Sequence, residues 1–190
     1  MRFEEIYLDM DGVIADFVHA FMHIHKRMDL AHNLTTRCLE EVLGITQEEC
    51  WAPIVDEKHY FWDEIPIFPW AIELYQFCRQ IGPVTFLSRP ICLPELNGRD
   101  TAYCVRGKLT WLRRNFGQEI DEHDVIFTGR KESVAKPGVL LVDDDERYEL
   151  KFRERGARQI VFPACYNRFR ARWDEPMDCV HEQYEGLLEE

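Results

Sequence analysis

The chain has 190 residues, 46% hydrophobic and 13% aromatic, with 35 acidic against 23 basic side chains and a formal net charge of −12. That composition suits one substantial core and excludes a disordered chain. The charge disfavours a nucleic-acid polymer, since the basic runs at 113–115 and 168–172 are too short to make a stripe, but it leaves a nucleotide-sized anion open.

The first predicted element is a strand, EIYLD (5–9), after which more than 70 residues pass before the next, PVTFLS (83–88). That interval carries helical patterns at 17–28, 36–44 and 71–80, and an aromatic, proline-rich piece, YFWDEIPIFPW (60–70). Beyond the second strand come a helix, KLTWLRRNFG (108–117), with apolar positions at Leu109, Leu112 and Phe116, and a strand, DVIFT (124–128). GVLLVD (138–143), the helical ERYELKFRERG (146–156) and QIVFP (159–163) follow, and the last 20 or so residues read as a loosely ordered tail with some helix. Continuously apolar strands alternating with helices predict an α/β fold, a Rossmann-like parallel five-stranded sheet flanked by helices. The long interval predicts a small, mainly helical cap inserted after the first strand. The expected boundaries are 1–16 and 81–175 for the core, 17–80 for the cap and 176–190 for the tail.

Seven scattered cysteines without a C-x-x-C pair, no signal-like N-terminus and no apolar run of roughly 18 residues point to reduced thiols, a cytoplasmic location and no membrane. His19, His23 and His25 lack a carboxylate at helical spacing and read as a polar helix face. Lys108 and Arg114 read as solvated helix charges.

Carboxylates mark the strand ends. Asp9 closes the first strand, Asp11 sits in the following turn, and the fourth strand ends in Asp143, Asp144 and Asp145. Ligands of a parallel sheet bind beyond the C-terminal strand ends. If strands one and four are neighbours, at least three carboxylates converge, and their repulsion calls for a hard, oxygen-liganded cation such as Mg²⁺. Ser88 and Arg89 close the second strand, and Lys131 and Lys136 follow the third. Carboxylates, a metal, a hydroxyl and a lysine make a phosphate site with a nucleophile in it.

The ordered set DMDGVIADF, YFWDEIPI, FLSRP, KLTWLRRNFG, VIFTGRK, LLVDDD and VFPACYN resembles the haloacid dehalogenase-type phosphatase superfamily, and most sharply its 5′(3′)-deoxyribonucleotidase branch. The resemblance implies Asp9 as nucleophile and metal ligand, and Asp11 as general acid/base with its backbone carbonyl on the metal. It implies Ser88 as holder of the transferring phosphate and Asp144 as a direct metal ligand supported by Asp143. Lys131 is the better match for the catalytic lysine by its spacing from Thr128, with Lys136 the runner-up. Phe17, Phe61, Trp62 and Phe68 correspond to the nucleobase pocket, and Arg89 stands at the same edge. The substrate implied is a small phosphomonoester, a deoxynucleoside monophosphate, and a homodimer is left open. A sugar phosphate, a nucleic-acid 3′-phosphate, or a phosphate-binding module without turnover are the alternatives. Two features depart from the branch: serine stands where threonine is common, and the stretch 89–107 is several residues longer, which leaves the exact nucleotide open.

Overall fold

The computed structural model describes residues 2–31, 34–93 and 98–189. Five parallel strands, β1 (Glu5–Leu8), β2 (Val84–Ser88), β3 (Val125–Phe127), β4 (Val139–Asp143) and β5 (Arg158–Val161), form one sheet in the order β3-β2-β1-β4-β5. The chain runs outward from β1 through β2 to β3, then crosses to β4 and β5 on the other side. That reversal places a topological switch point between β1 and β4, where a crevice opens beyond the strand ends. β4 is buried along its whole length, as a strand covered on both faces must be. Ile6, Leu8, Leu140 and Val142 enter one core cluster, while Tyr7, Val139 and Leu141 pack with Tyr148 and Phe152 on the opposite face.

The interval after β1 folds as helices: α1 (Phe17–Ile24), α2 (Leu39–Leu43), α3 (Gln47–Glu57), α4 (His59–Asp63) and α5 (Ala71–Ile81). Local chemistry sets their starts. The Asp16 side chain accepts the His19 N–H at the head of α1, and Thr46 with Glu49 closes a reciprocal capping box on α3. α5 packs against β2, burying Leu74, Cys78 and Ile81.

α6 (Arg99–Phe116) is 18 residues long and begins well before the predicted 108. Much of the long 89–107 stretch is therefore helix, and residues 94–97 of it lie outside the described residues. α6 buries Cys104, Gly107, Lys108, Trp111 and Leu112, a stripe at helical spacing. A side chain at Gly107 would meet the His59 carbonyl oxygen at 2.4 Å and Trp62 Cβ at 2.6 Å, so glycine lets α4 lie directly on α6. α7 (Tyr148–Arg153) covers the far face.

The tail differs from expectation. Residues Pro176–Glu189 form α8, a 14-residue helix that buries Met177, Cys179 and Val180. From it Gln183 accepts the Val161 N–H at 3.0 Å and donates to the Val161 carbonyl at 2.9 Å, occupying edge-strand groups otherwise open to another chain. Among the described residues no helix is long and apolar enough to cross a membrane. All seven cysteines are free thiols.

Candidate active site

The sheet register pairs Leu8 with Val142, so Asp9 and Asp143 emerge side by side at the β1/β4 edge. Lys131, in the short 3₁₀ turn after β3, lies buried between them. Its Nζ is 2.6 Å from Asp9 Oδ1 and 2.7 Å from Asp143 Oδ2. The other Asp143 oxygen accepts the Asp145 N–H at 2.7 Å, so both are engaged. Asp144 differs. Its Oδ2 accepts the Tyr166 hydroxyl, while its Oδ1 is buried with no hydrogen-bond partner. Asp9, Asp143 and Asp144 each offer an oxygen, all within 4.8 Å of one another, and they form the one such cluster found among the described residues. An all-oxygen donor set that includes a buried carboxylate oxygen with no hydrogen bond, faced by Arg37 Nη2 at 3.6 Å, fits a hard divalent cation. The histidines of α1 lie outside this cluster.

Gly12 makes the approach possible. Its φ is +82°, and a Cβ there would stand 2.7 Å from Asp144 Oδ2 and 3.0 Å from the Tyr166 hydroxyl. Burial pushes the Asp9 carboxyl up to about 8; Lys131 opposes the shift, and the neighbouring aspartates add to it. Burial raises Asp144 to about 6 against the opposing Arg37 guanidinium. A cation at these oxygens would favour the ionised forms.

Asp11 lies apart from the trio and has its own cation. Lys108 is fully buried, contrary to its reading as a solvated helix charge. Its Nζ sits 2.5 Å from Asp11 Oδ2, 2.7 Å from Ser88 Oγ and 3.3 Å from the Arg89 carbonyl oxygen. It also stands 5.0 Å from the centre of the Trp62 ring. Burial works against its charge, but Asp11 more than compensates and holds the ammonium above its ordinary range. Arg114, two turns further along, is half-exposed and pairs with Asp63. The helical stripe of α6 was the signal for Lys108: it falls in register with Cys104, Trp111 and Leu112, one position away from the expected apolar face.

A cavity of about 650 Å³ opens over this edge. Asp9, Asp11, Lys131, Asp143 and Asp144 line its floor, and Phe17, Trp62 and Arg89 line its wall. Ser88 lies buried behind Lys108, and Lys136 is exposed outside the lining. Phe61 and Phe68 are also away from the lining. Phe61 packs edge-on to Phe17, and Phe68 stacks on Trp70, so both are core aromatics. Sequence reasoning missed Trp51 of α3, which lines the cavity and lies against Phe17 with ring centroids 6.3 Å apart. Phe17 and Trp62 are near-parallel at 12°. Arg37 and Tyr166, also missed, line the cavity beside Asp144.

The sequence profile of the family "5' nucleotidase, deoxy (Pyrimidine), cytosolic type C protein" matches residues 4–180. The chain belongs to this family. Its members are 5′-nucleotidases, phosphomonoester hydrolases. A candidate 5′(3′)-deoxyribonucleotidase of Bordetella pertussis is 30% identical over 171 residues, covering 86% of this chain and 85% of the relative. A counterpart in Bordetella bronchiseptica is 30% identical over 175 residues with the same coverage. Among solved structures, a HAD family hydrolase of Deinococcus radiodurans, with bound phosphate and sodium, is 12% identical with a TM-score of 0.48, covering 83% of this chain and 79% of that one. A HAD family enzyme of Bacteroides thetaiotaomicron, in complex with magnesium and inorganic phosphate, is 13% identical with a TM-score of 0.44, covering 90% and 99%.

Proposed function

We propose that the chain is a Mg²⁺-dependent, cytoplasmic 5′(3′)-deoxyribonucleotidase that hydrolyses deoxynucleoside monophosphates through an aspartyl-phosphate. The observation that carries this reading is the division of labour at the sheet edge, where each DxD aspartate has its own buried lysine: Lys131 on Asp9 and Lys108 on Asp11. Asp9 and Asp144 would hold the cation, with Asp143 fixing Lys131 and the turn. Bound there, Mg²⁺ would offset phosphoryl charge and orient the group for in-line attack.

Asp9 attacks phosphorus as the bond to the leaving oxygen breaks, and Asp11 donates a proton to that oxygen. Lys108 holds Asp11 Oδ2, which leaves Oδ1, an oxygen without a partner, as the proton-bearing atom. In the second half Asp11 takes a proton from water, the water oxygen attacks phosphorus, and Asp9 leaves as a carboxylate with release of inorganic phosphate. Ser88, joined to Lys108 Nζ at 2.7 Å directly behind the cavity floor, would hold the transferring phosphoryl group in this reading. The rings of Phe17, Trp51 and Trp62 offer a flat leaving group a stacking wall.

Phosphate release should be measured across nucleoside 5′- and 3′-monophosphates, sugar phosphates and 3′-phosphorylated oligonucleotides, with Mg²⁺ and with EDTA. Deoxynucleotides are expected to lead the panel, with activity lost in EDTA. Asp9→Asn should lower turnover by at least about a thousandfold while the far-ultraviolet spectrum is kept. Preference for sugar phosphates would remove the nucleotide assignment alone, whereas near-normal rates in Asp9→Asn would remove the nucleophile.

A further inference from the structure

Arg37 belongs to the inserted helical region, on the segment leading into α2, yet its guanidinium reaches the carboxylates at the end of β4. One nitrogen, Nη1, lies 2.7 Å from Asp145 Oδ2, and Nη2 lies 3.6 Å from Asp144 Oδ1. The group also stands 5.4 Å from the centre of the Tyr166 ring. Asp144 Oδ1 is the buried oxygen with no hydrogen-bond partner, on a residue only 1% exposed. It is therefore faced from the inserted region by a fixed positive charge and from the sheet edge by the carboxylates of Asp9 and Asp143.

Five carboxylates, Asp9, Asp11, Asp143, Asp144 and Asp145, crowd this edge, and the two buried lysines answer three of them. Arg37 answers Asp144 and shares Asp145 with Arg147, which binds both Asp145 oxygens at 2.8 Å. A divalent cation on Asp144 would set two further positive charges against the guanidinium. Asp145, already held by Arg147, would lose little by releasing Arg37.

We propose that Arg37 is a positioning residue that competes with Mg²⁺ for Asp144, so that metal loading and the seating of the segment around Arg37 oppose each other. The inference rests on the magnesium reading above. Coupling of this kind is reciprocal: the metal loosens the segment by the same factor by which the seated segment weakens the metal. Substrate binding would then meet an inserted region freed from the metal site, with Arg37 still within the cavity lining.

The experiment is Mg²⁺ titration calorimetry on the metal-stripped full chain, as wild type, Arg37→Ala, Arg37→Gln and Arg37→Lys. Both neutral variants should bind Mg²⁺ about tenfold more tightly (about 1.4 kcal/mol). Arg37→Lys, which keeps the charge, should stay near wild type. Hydrogen exchange of residues 34–43 gives a second reading, whose wild-type arm is independent of how the variants fold. Mg²⁺ should speed exchange there, and in Arg37→Ala exchange should be fast with or without it. Unchanged or weaker Mg²⁺ binding in both neutral variants, or wild-type exchange slowed by the metal, overturns the inference and leaves the magnesium site standing. Absence of Mg²⁺ binding in every protein overturns the magnesium reading itself.

Discussion

Lys108 and Lys131 are both buried and both charged, and each is tied to one of two aspartates two positions apart. A buried ammonium is costly unless paired and hydrogen-bonded, and here each finds at least two oxygen partners. The arrangement keeps like charges on Asp9 and Asp11 from facing one another unscreened. Replacing Lys108 with methionine keeps the stem and removes the ammonium. On the proposed mechanism it should lower kcat by about a hundred- to a thousandfold, since the cation that holds Asp11 and Ser88 is lost. A kcat within threefold of wild type, measured by phosphate release at saturating substrate, would show that Lys108 is structural only. At this scale the sequence was legible where chemistry sits at a strand end: Asp9, Asp11, Ser88, Lys131 and the Asp143–Asp145 run all lie at the expected edge. Lys108 was missed because a lysine reads as solvent-facing, although its spacing from Trp111 placed it on the buried stripe. Arg37 and Tyr166 carry no such spacing, because only tertiary folding brings them to Asp144.

Among the elements, the strands were the most legible, each within a residue or two of its expected ends, because continuous apolar runs between turn residues leave little choice. α6 was half-read. Its first two turns, Arg99 to Arg106, carry their apolar residues as one consecutive run, Ala102 to Val105, without helical periodicity, so their helical state follows from packing and from the loop they anchor. Asp100 accepts the Leu93 N–H at 2.6 Å and Thr101 donates to the Ile91 carbonyl at 2.7 Å, fixing a loop that forms part of the cavity wall. α8 was read as a loose tail for a similar reason: its buried residues gather in its first turns, and beyond them only Tyr184 and Leu187 pack on the core among mostly acidic and polar positions. Its hold on the sheet rests partly on Gln183. Gln183→Ala removes two hydrogen bonds to Val161 and should cost about 1–3 kcal/mol, seen as a lower urea midpoint with an unchanged slope. An unchanged midpoint would mean that apolar packing alone docks the helix.

For the whole molecule, the buried carboxylates link stability to pH and to metal. The Asp9 pKa stands at about 8 in the fold against an ordinary 3.8. Between these values the folded state holds more protons than the unfolded state. Stability from this group is thus full below about pH 4 and is lost as pH rises through about 8. Without divalent cation, the melting temperature should fall from about pH 5 to about pH 9; with saturating Mg²⁺, which on the proposed reading binds the ionised carboxylates, the decline should flatten. A melting temperature that rises over that range in EDTA would contradict the burial argument. The strand order has a temporal consequence as well. β1 precedes the other four strands along the chain and is the middle strand of the finished sheet. Its partners on one side come from residues 84–88 and on the other from 139–143. Asp9 is therefore synthesised long before Lys131 and Asp144, so a nascent chain that ends before β4 carries the DMDG loop without the carboxylates that complete the acidic cluster.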